Sequence, residues 1–406
     1  QPTTYTYGDA RLKARAGTSE DCLFLNVTSP VDVFEPLPVV VWLHGGGLFK
    51  GSGSTVDPSV LAAHGAVVVT INHRLGRLGY FAHPALDPDV ANLGLLDQVA
   101  ALEWVRDNAA VFGGDPGSVT VMGSSAGAIS VNALMVAPAA SGLFDRAIAQ
   151  SAPGDTAARR FADLRRQGAR DFPGLTAAEL RALPGEDLLS STFNVLLGDA
   201  PVVDAVLPET VGDAFAAGRE APVPYLVGTT DAEFDDDDYR AAGSDPDRLR
   251  AGLGGSGHDA LVAAYGRADF RSYALDDLVF QAPAVELALR HADRAPTYRY
   301  RFAVDRGGST HGAEVPYVFG TEQRASRRRV VSAIVDYWMS FIRTGSPEVA
   351  GLPAWPTAEG TAYLDIGARV PRPVARDPWT DRLAALRAAV PLRLPVSRAA
   401  SAARGR

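Results

Sequence analysis

The chain has 406 residues, 47% hydrophobic and 21% charged, enough to bury a large core in a globular protein. Its net charge of −8 disfavours nucleic acid as a partner and offers no basic face to anionic lipid. No apolar run reaches membrane-spanning length, and the one cysteine, Cys22, excludes an intrachain disulfide or a thiolate metal cluster.

Residues 1–20 are polar, without a clear period. The chain starts at Gln1 and its first methionine is Met122, so the N-terminus reads as processed, trimmed or incomplete. A soluble protein, cytoplasmic or secreted with a leader removed, is expected. Ser19 to Val27 reads as a turn entering a strand, with Leu23, Leu25 and Val27 alternating. The sequon Asn26-Val27-Thr28 falls inside it. Val39-Val40-Val41-Trp42-Leu43 is an apolar run of the buried-strand type, followed by His44-Gly45-Gly46-Gly47. Ala66 to Ile71 is a second buried strand. Gly94 to Phe112 carries Leu95, Leu96, Val99, Leu102, Val105 and Val111 at helical spacing. Gly113 and Gly114 stop that helix.

A third strand, Val119-Thr120-Val121-Met122, runs into Gly123-Ser124-Ser125-Ala126-Gly127, and helical sequence follows. Strand, Gly-x-Ser-x-Gly and helix in that order make a nucleophile elbow. The sharp turn needs residues without bulk at Gly123 and Gly127, and it holds Ser125 Oγ at a helix N-terminus, where negative charge is favoured. Phe144 to Gln150 is the next strand. Strands alternating with helices predict a mostly parallel central sheet covered by helices on both faces.

Residues 154–220 are rich in Ala, Arg and Leu at helical spacing and read as a helical cap or insertion. Pro222 to Gly228 is a strand leading to an acidic loop, Asp231 to Asp238. Residues 245–291 are helical again. Within them Gly252 to Gly257 fits G-x-G-x-x-G by letter, but no strand precedes it, so it is no dinucleotide site. Tyr298 to Phe302 is a late strand and Arg329 to Ile342 an amphipathic helix. A single domain is expected over 1–395, with a disordered tail over 396–406.

A serine nucleophile needs a base, and the base needs an orienting acid. In α/β-hydrolases these follow in the order serine, acid, histidine. His44, His64, His73 and His83 precede Ser125. His258 lies in the Gly-rich stretch and His291 at a helix end. His311, in the loop after the late strand, is the base candidate by position. Asp231 and Glu233 both qualify as the acid, since both lie in the loop after the Pro222–Gly228 strand.

Taken together these segments resemble the type-B carboxylesterase family, relatives of the cholinesterases. The residues that carry the resemblance are SEDCLFLNV at 19–27, WLHGGG at 42–47 and NLGLLDQVAALEWVRDNAAVFGGDP at 92–116. GSSAG at 123–127, VPYLVGTTDAE at 223–233, HGAEVPYVFG at 311–320 and WMSFIRTGSPE at 338–348 complete it. The resemblance implies an α/β-hydrolase fold and a serine carboxylesterase that forms an acyl-enzyme. It implies Ser125, Glu233 and His311 as the triad and the backbone N–H groups of Gly46, Gly47 and Ala126 as the oxyanion hole. A Cβ at Gly46 would be expected to crowd the acyl group. The partner implied is a small-molecule ester, with no cofactor, metal, nucleic acid or membrane span.

The chain departs from the family at four places. It is shorter, lacking N-terminal strands. Cys22 matches a cysteine that relatives pair with an upstream partner, which here would precede Gln1. Leu12 stands where cholinesterases carry the tryptophan that receives a choline cation. Ser124 precedes the nucleophile in place of a frequent Glu, and Phe234 follows the acid in place of a frequent Gly. The competing readings are a catalytically silent binding protein of the same fold, and a hydrolase of carbamates, amides or lactones.

Overall fold

A computed structural model describes residues 19–154, 160–189, 200–234, 259–266, 273–274, 276–305 and 307–389. Leu12, Asp235 to Asp238, Gly252 to Gly257, His258 and the tail over 396–406 lie outside the described residues. Among the described residues nine strands form one sheet: β1 (Leu25–Thr28), β2 (Leu37–Leu43), β3 (Val67–Ile71), β4 (Gly114–Ser124), β5 (Arg146–Gln150), β6 (Tyr225–Thr230), β7 (Thr297–Ala303), β8 (Tyr363–Gly367) and β9 (Arg372–Val374). Their spatial order is β1-β3-β2-β4-β5-β6-β7-β8-β9. From β3 to β8 every neighbouring pair is parallel, and β1 and β9 add antiparallel edges.

The β-branched runs explain the layering. Successive side chains of a strand face opposite ways, so a strand apolar throughout must be covered on both sides. In β2, Val39, Val41 and Leu43 enter one core, beneath helices α1 (Leu93–Asn108), α2 (Ala126–Leu134) and α4 (Ala282–His291). Val40 and Trp42 enter the other, beneath α5 (Arg328–Thr344), with Trp338, Phe341 and Trp355 around them. Helix α3 (Phe161–Asp171) and the short helices Ala177–Ala182, Gly185–Leu189 and Val211–Ala216 occupy the stretch between β5 and β6. Of the helical stretch expected over 245–291, the described part is helical at residues 259–265, 273–274 and 276–291.

Three expectations change. Leu23 does not enter the strand; it precedes β1 and is 54% exposed. Val111 belongs to a short 3₁₀ turn, Ala109–Phe112, rather than to α1, and is 82% exposed. The turn ends at Gly113, whose φ of +80° is the left-handed conformation a chain reversal requires there. Strands β8 and β9 and helix α6 (Thr380–Ala389) were not anticipated. Cys22 is a half-buried free thiol, raised by burial. No helix among the described residues is long and apolar enough to cross a membrane.

Candidate active site

Parallel strands bring the loops at their carboxyl ends to one edge of the sheet. Gly123 of β4 pairs with Leu43 of β2, Ser124 with Gln150 of β5, and Gly228 of β6 with Gln150. The Gly45–Gly47 loop, the elbow, the 231–234 loop and the 307–314 loop therefore converge.

The elbow is tight. Ser125 has φ +58° and ψ −122°, a left-handed conformation that a non-glycine residue holds only when its surroundings enforce it. Its N–H donates to Gln150 O at 2.8 Å, and Ile129 N–H donates to Ser125 O at 3.0 Å, fixing both sides of the turn. A Cβ at Gly127 would sit 2.0 Å from Leu43 O, and one at Gly123 would sit 2.5 Å from the Gly127 carbonyl. Only glycine lets α2 start this close to the sheet.

His311 is held by its own backbone. Its N–H donates to Glu233 O at 3.1 Å. Ser309 and Asp231 join the two loops: Ser309 N–H donates to Asp231 Oδ1 at 2.7 Å, and Ala232 N–H donates to Ser309 O at 3.2 Å. In this frame His311 Nδ1–H donates to Glu233 Oε2 at 2.6 Å, while Ser125 Oγ–H donates to His311 Nε2 at 2.7 Å. A carboxylate only accepts, so the proton sits on Nδ1 and leaves Nε2 free to take one from serine. Glu233 is fully buried and its second oxygen accepts from Thr230 N–H at 2.8 Å. Of the two acids in the loop, Glu233 reaches His311 and Asp231 does not. The other described histidines have other partners. His64 bonds Val60 O, His83 bonds Phe172 O, and buried His291 lies between Glu220 and Val223 O.

The glycine loop packs against the elbow: a Cβ on Gly45 would lie 3.2 Å from Ser125 Cβ. Gly46 and Gly47 have φ of +116° and +63°, and Gly46 O accepts from Phe49 and Lys50 N–H, closing a tight turn. A Cβ at Gly46 would meet Lys50 O at 2.2 Å, so it would strike the loop itself. Ala126 is the first residue of α2, one of the helix-start positions whose N–H has no intrahelical acceptor.

Two residues of the site escaped the sequence reading. Glu314 is buried beneath the loop and accepts from Ser151 Oγ at 3.1 Å. Burial, and then the charge of Glu233, push its carboxyl up to about 7. Its position three residues past His311 was the available signal. Phe280 packs its ring 5.0 Å from the His311 ring and 5.4 Å from Phe234. It lies on a π-helical turn, Asp277–Gln281, whose Gln281 donates to Thr230 O at 2.6 Å. Nothing local in the sequence pointed to it.

The model of the Carboxylesterase family matches residues 1–240 and 267–380 of this chain. The para-nitrobenzyl esterase of Bacillus subtilis (strain 168) is 34% identical over 376 residues, covering 83% of this chain and 77% of that protein. Liver carboxylesterase 1 of Oryctolagus cuniculus is 34% identical over 432 residues, covering 86% and 74%. A solved structure of a PNB esterase superposes with a TM-score of 0.79 at 31% identity, covering 95% of this chain and 88% of that one.

Proposed function

Because the chain belongs to the carboxylesterase family, has the α/β-hydrolase fold and is a carboxylic-ester hydrolase, we propose that Ser125, His311 and Glu233 carry its chemistry. Ser125 Oγ attacks the ester carbonyl as His311 Nε2 takes its proton. The tetrahedral oxyanion is held by the N–H groups of Gly46, Gly47 and Ala126. His311 then returns the proton to the leaving alcohol. Water, activated by the same imidazole, frees the acid from the acyl-enzyme. Glu233 keeps His311 in the Nδ1–H tautomer and stabilises the imidazolium that forms at each step.

The observation that carries this reading is the unbroken chain from Ser125 Oγ through His311 to Glu233, at 2.7 and 2.6 Å, joining three residues far apart in sequence. Leu12 stands where cholinesterases carry the tryptophan that receives a choline cation, which favours an ester without a quaternary ammonium as the substrate. The test is Ser125→Ala, assayed with p-nitrophenyl esters of graded acyl length and with a fluorophosphonate label. Turnover and labelling should both vanish in a folded protein, and wild-type enzyme should prefer p-nitrophenyl acetate to acetylthiocholine. Near-normal turnover by the alanine variant would remove Ser125 from the mechanism.

A further inference from the structure

Two histidines without a part in the proton chain lie stacked at the base of the glycine loop. His44 and His73 follow the carboxyl ends of the neighbouring strands β2 and β3. They are 2% and 0% exposed, with ring centroids 4.8 Å apart and planes 12° from parallel. His44 Nδ1 lies 2.9 Å from the carbonyl oxygen of Gly45. A carbonyl only accepts, so Nδ1 carries the proton and donates.

That bond acts on the next peptide unit. The cis peptide among the described residues is Ala200–Pro201, so Gly45–Gly46 is trans. In a trans peptide the C=O and N–H point in opposite directions. Anchoring the Gly45 oxygen on the imidazole therefore turns the Gly46 N–H away from it. Among the described residues no acceptor takes that N–H. Without an anchor the unit is easily rotated, because both flanking residues are glycines and carry no Cβ to oppose the turn. Rotation would replace a donor by a carbonyl and repel a developing oxyanion.

We propose that His44 is a positioning residue of the oxyanion hole: its Nδ1–H fixes the Gly45–Gly46 peptide so that the Gly46 N–H faces the oxygen of the ester bound at Ser125, and the stacked ring of His73 holds the imidazole in that plane. The inference rests on the oxyanion hole proposed above. Two further features support it. A Cβ at Gly51 would sit 2.3 Å from His44 Nδ1 and 2.5 Å from Gly45 O, so the chain closes tightly over this bond and shields it from water. Burial lowers both imidazoles, that of His73 to about 3, which favours the neutral form of each ring.

The test separates the hydrogen bond from the packing. His44→Phe keeps a stacked ring and removes the donor. His44→Asn and His44→Leu share one shape, and only Asn can donate to Gly45 O. With p-nitrophenyl acetate, His44→Phe and His44→Leu should lose turnover by about 10-fold to 10²-fold, less than or equal to the loss of a whole oxyanion donor. KM should stay within about twofold, since ground-state contacts are untouched. Affinity for a trifluoromethyl ketone, which forms an oxyanion on the serine, should fall in parallel. His44→Asn should recover most of both. Equal kcat and equal ketone affinity for folded Asn and Leu variants would overturn the inference, even if His44→Phe does not fold. Ser125→Ala serves as the control. If it remains active, the hydrolytic reading fails; if it is dead while the His44 variants match wild type, only the positioning role fails.

Discussion

Glu233 and Asp231 stand two residues apart on one loop and do different work. Glu233 Oε2 takes the His311 proton donor at 2.6 Å, whereas Asp231 Oδ1 takes Ser309 N–H at 2.7 Å and holds the loops together. Glu233→Gln should cut kcat by about 10⁴-fold, since an amide stabilises the wrong tautomer and offers no charge to the imidazolium. Asp231→Asn keeps an acceptor oxygen and should stay within about tenfold of wild type. Steady-state kinetics on the two folded variants decide it; the opposite ranking would make Asp231 the acid. Glu314 titrates in the folded protein at about 7, against an ordinary value of 4.5. The folded state thus holds a proton that the unfolded state releases, so the contribution of Glu314 to stability is present below about 4.5 and lost as pH rises through about 7. Glu314→Gln, which keeps an acceptor for Ser151, should melt higher than wild type at pH 8 and close to it near pH 5. A constant difference across that range would mean that Glu314 does not titrate there.

At the scale of an element, α5 shows packing overriding local rules. Its N-cap, Arg327, makes no side-chain capping bond, and its first turn holds no acidic residue. Arg328 and Arg329 lie exposed on that turn, against the positive end of the helix dipole. The helix stands because Val330, Ile334, Trp338 and Phe341 bury one face against the sheet. Arg328→Glu and Arg329→Glu should each stabilise the protein by about 0.3–1 kcal/mol at low ionic strength, and by less in high salt. Urea midpoints at both salt concentrations measure this. A midpoint that falls at low salt would contradict the dipole account.

Across the whole molecule, stability and chemistry occupy different ends of the same sheet. The proposed triad and the glycine loop lie at the carboxyl ends of β2, β4, β6 and β7. Phe341 is fully buried beneath the opposite end, 6.1 Å from the Tyr298 ring near the start of β7. Phe341→Ala removes a large apolar side chain and leaves a cavity, a loss of about 3–5 kcal/mol. It should lower the melting temperature clearly while kcat per folded molecule, measured well below the transition, is unchanged. A proportional loss of kcat would show that the two ends are coupled.

The elbow, the buried strands β2 and β3, the long helix over Leu93–Asn108 and the alternating strand–helix order were legible in the sequence. Each is written in a short span, as a period of apolar residues, a glycine at a forbidden turn, or a run of β-branched side chains. The order serine, acid, histidine is no short-span signal; it was taken from the α/β-hydrolase pattern. The choice between Asp231 and Glu233 was not in the residues themselves; family resemblance pointed to Glu233, and the distances to His311 come from the pairing of β6 with β7 and the lacing of two loops. Strands β8 and β9 were missed because a short edge strand carries too little pattern to stand out. Phe280, Glu314 and the stacked His44 and His73 were hidden for a deeper reason. Their surroundings are assembled from segments remote in sequence, and burial, ring stacking and the direction of a peptide exist only after the sheet has brought those segments together.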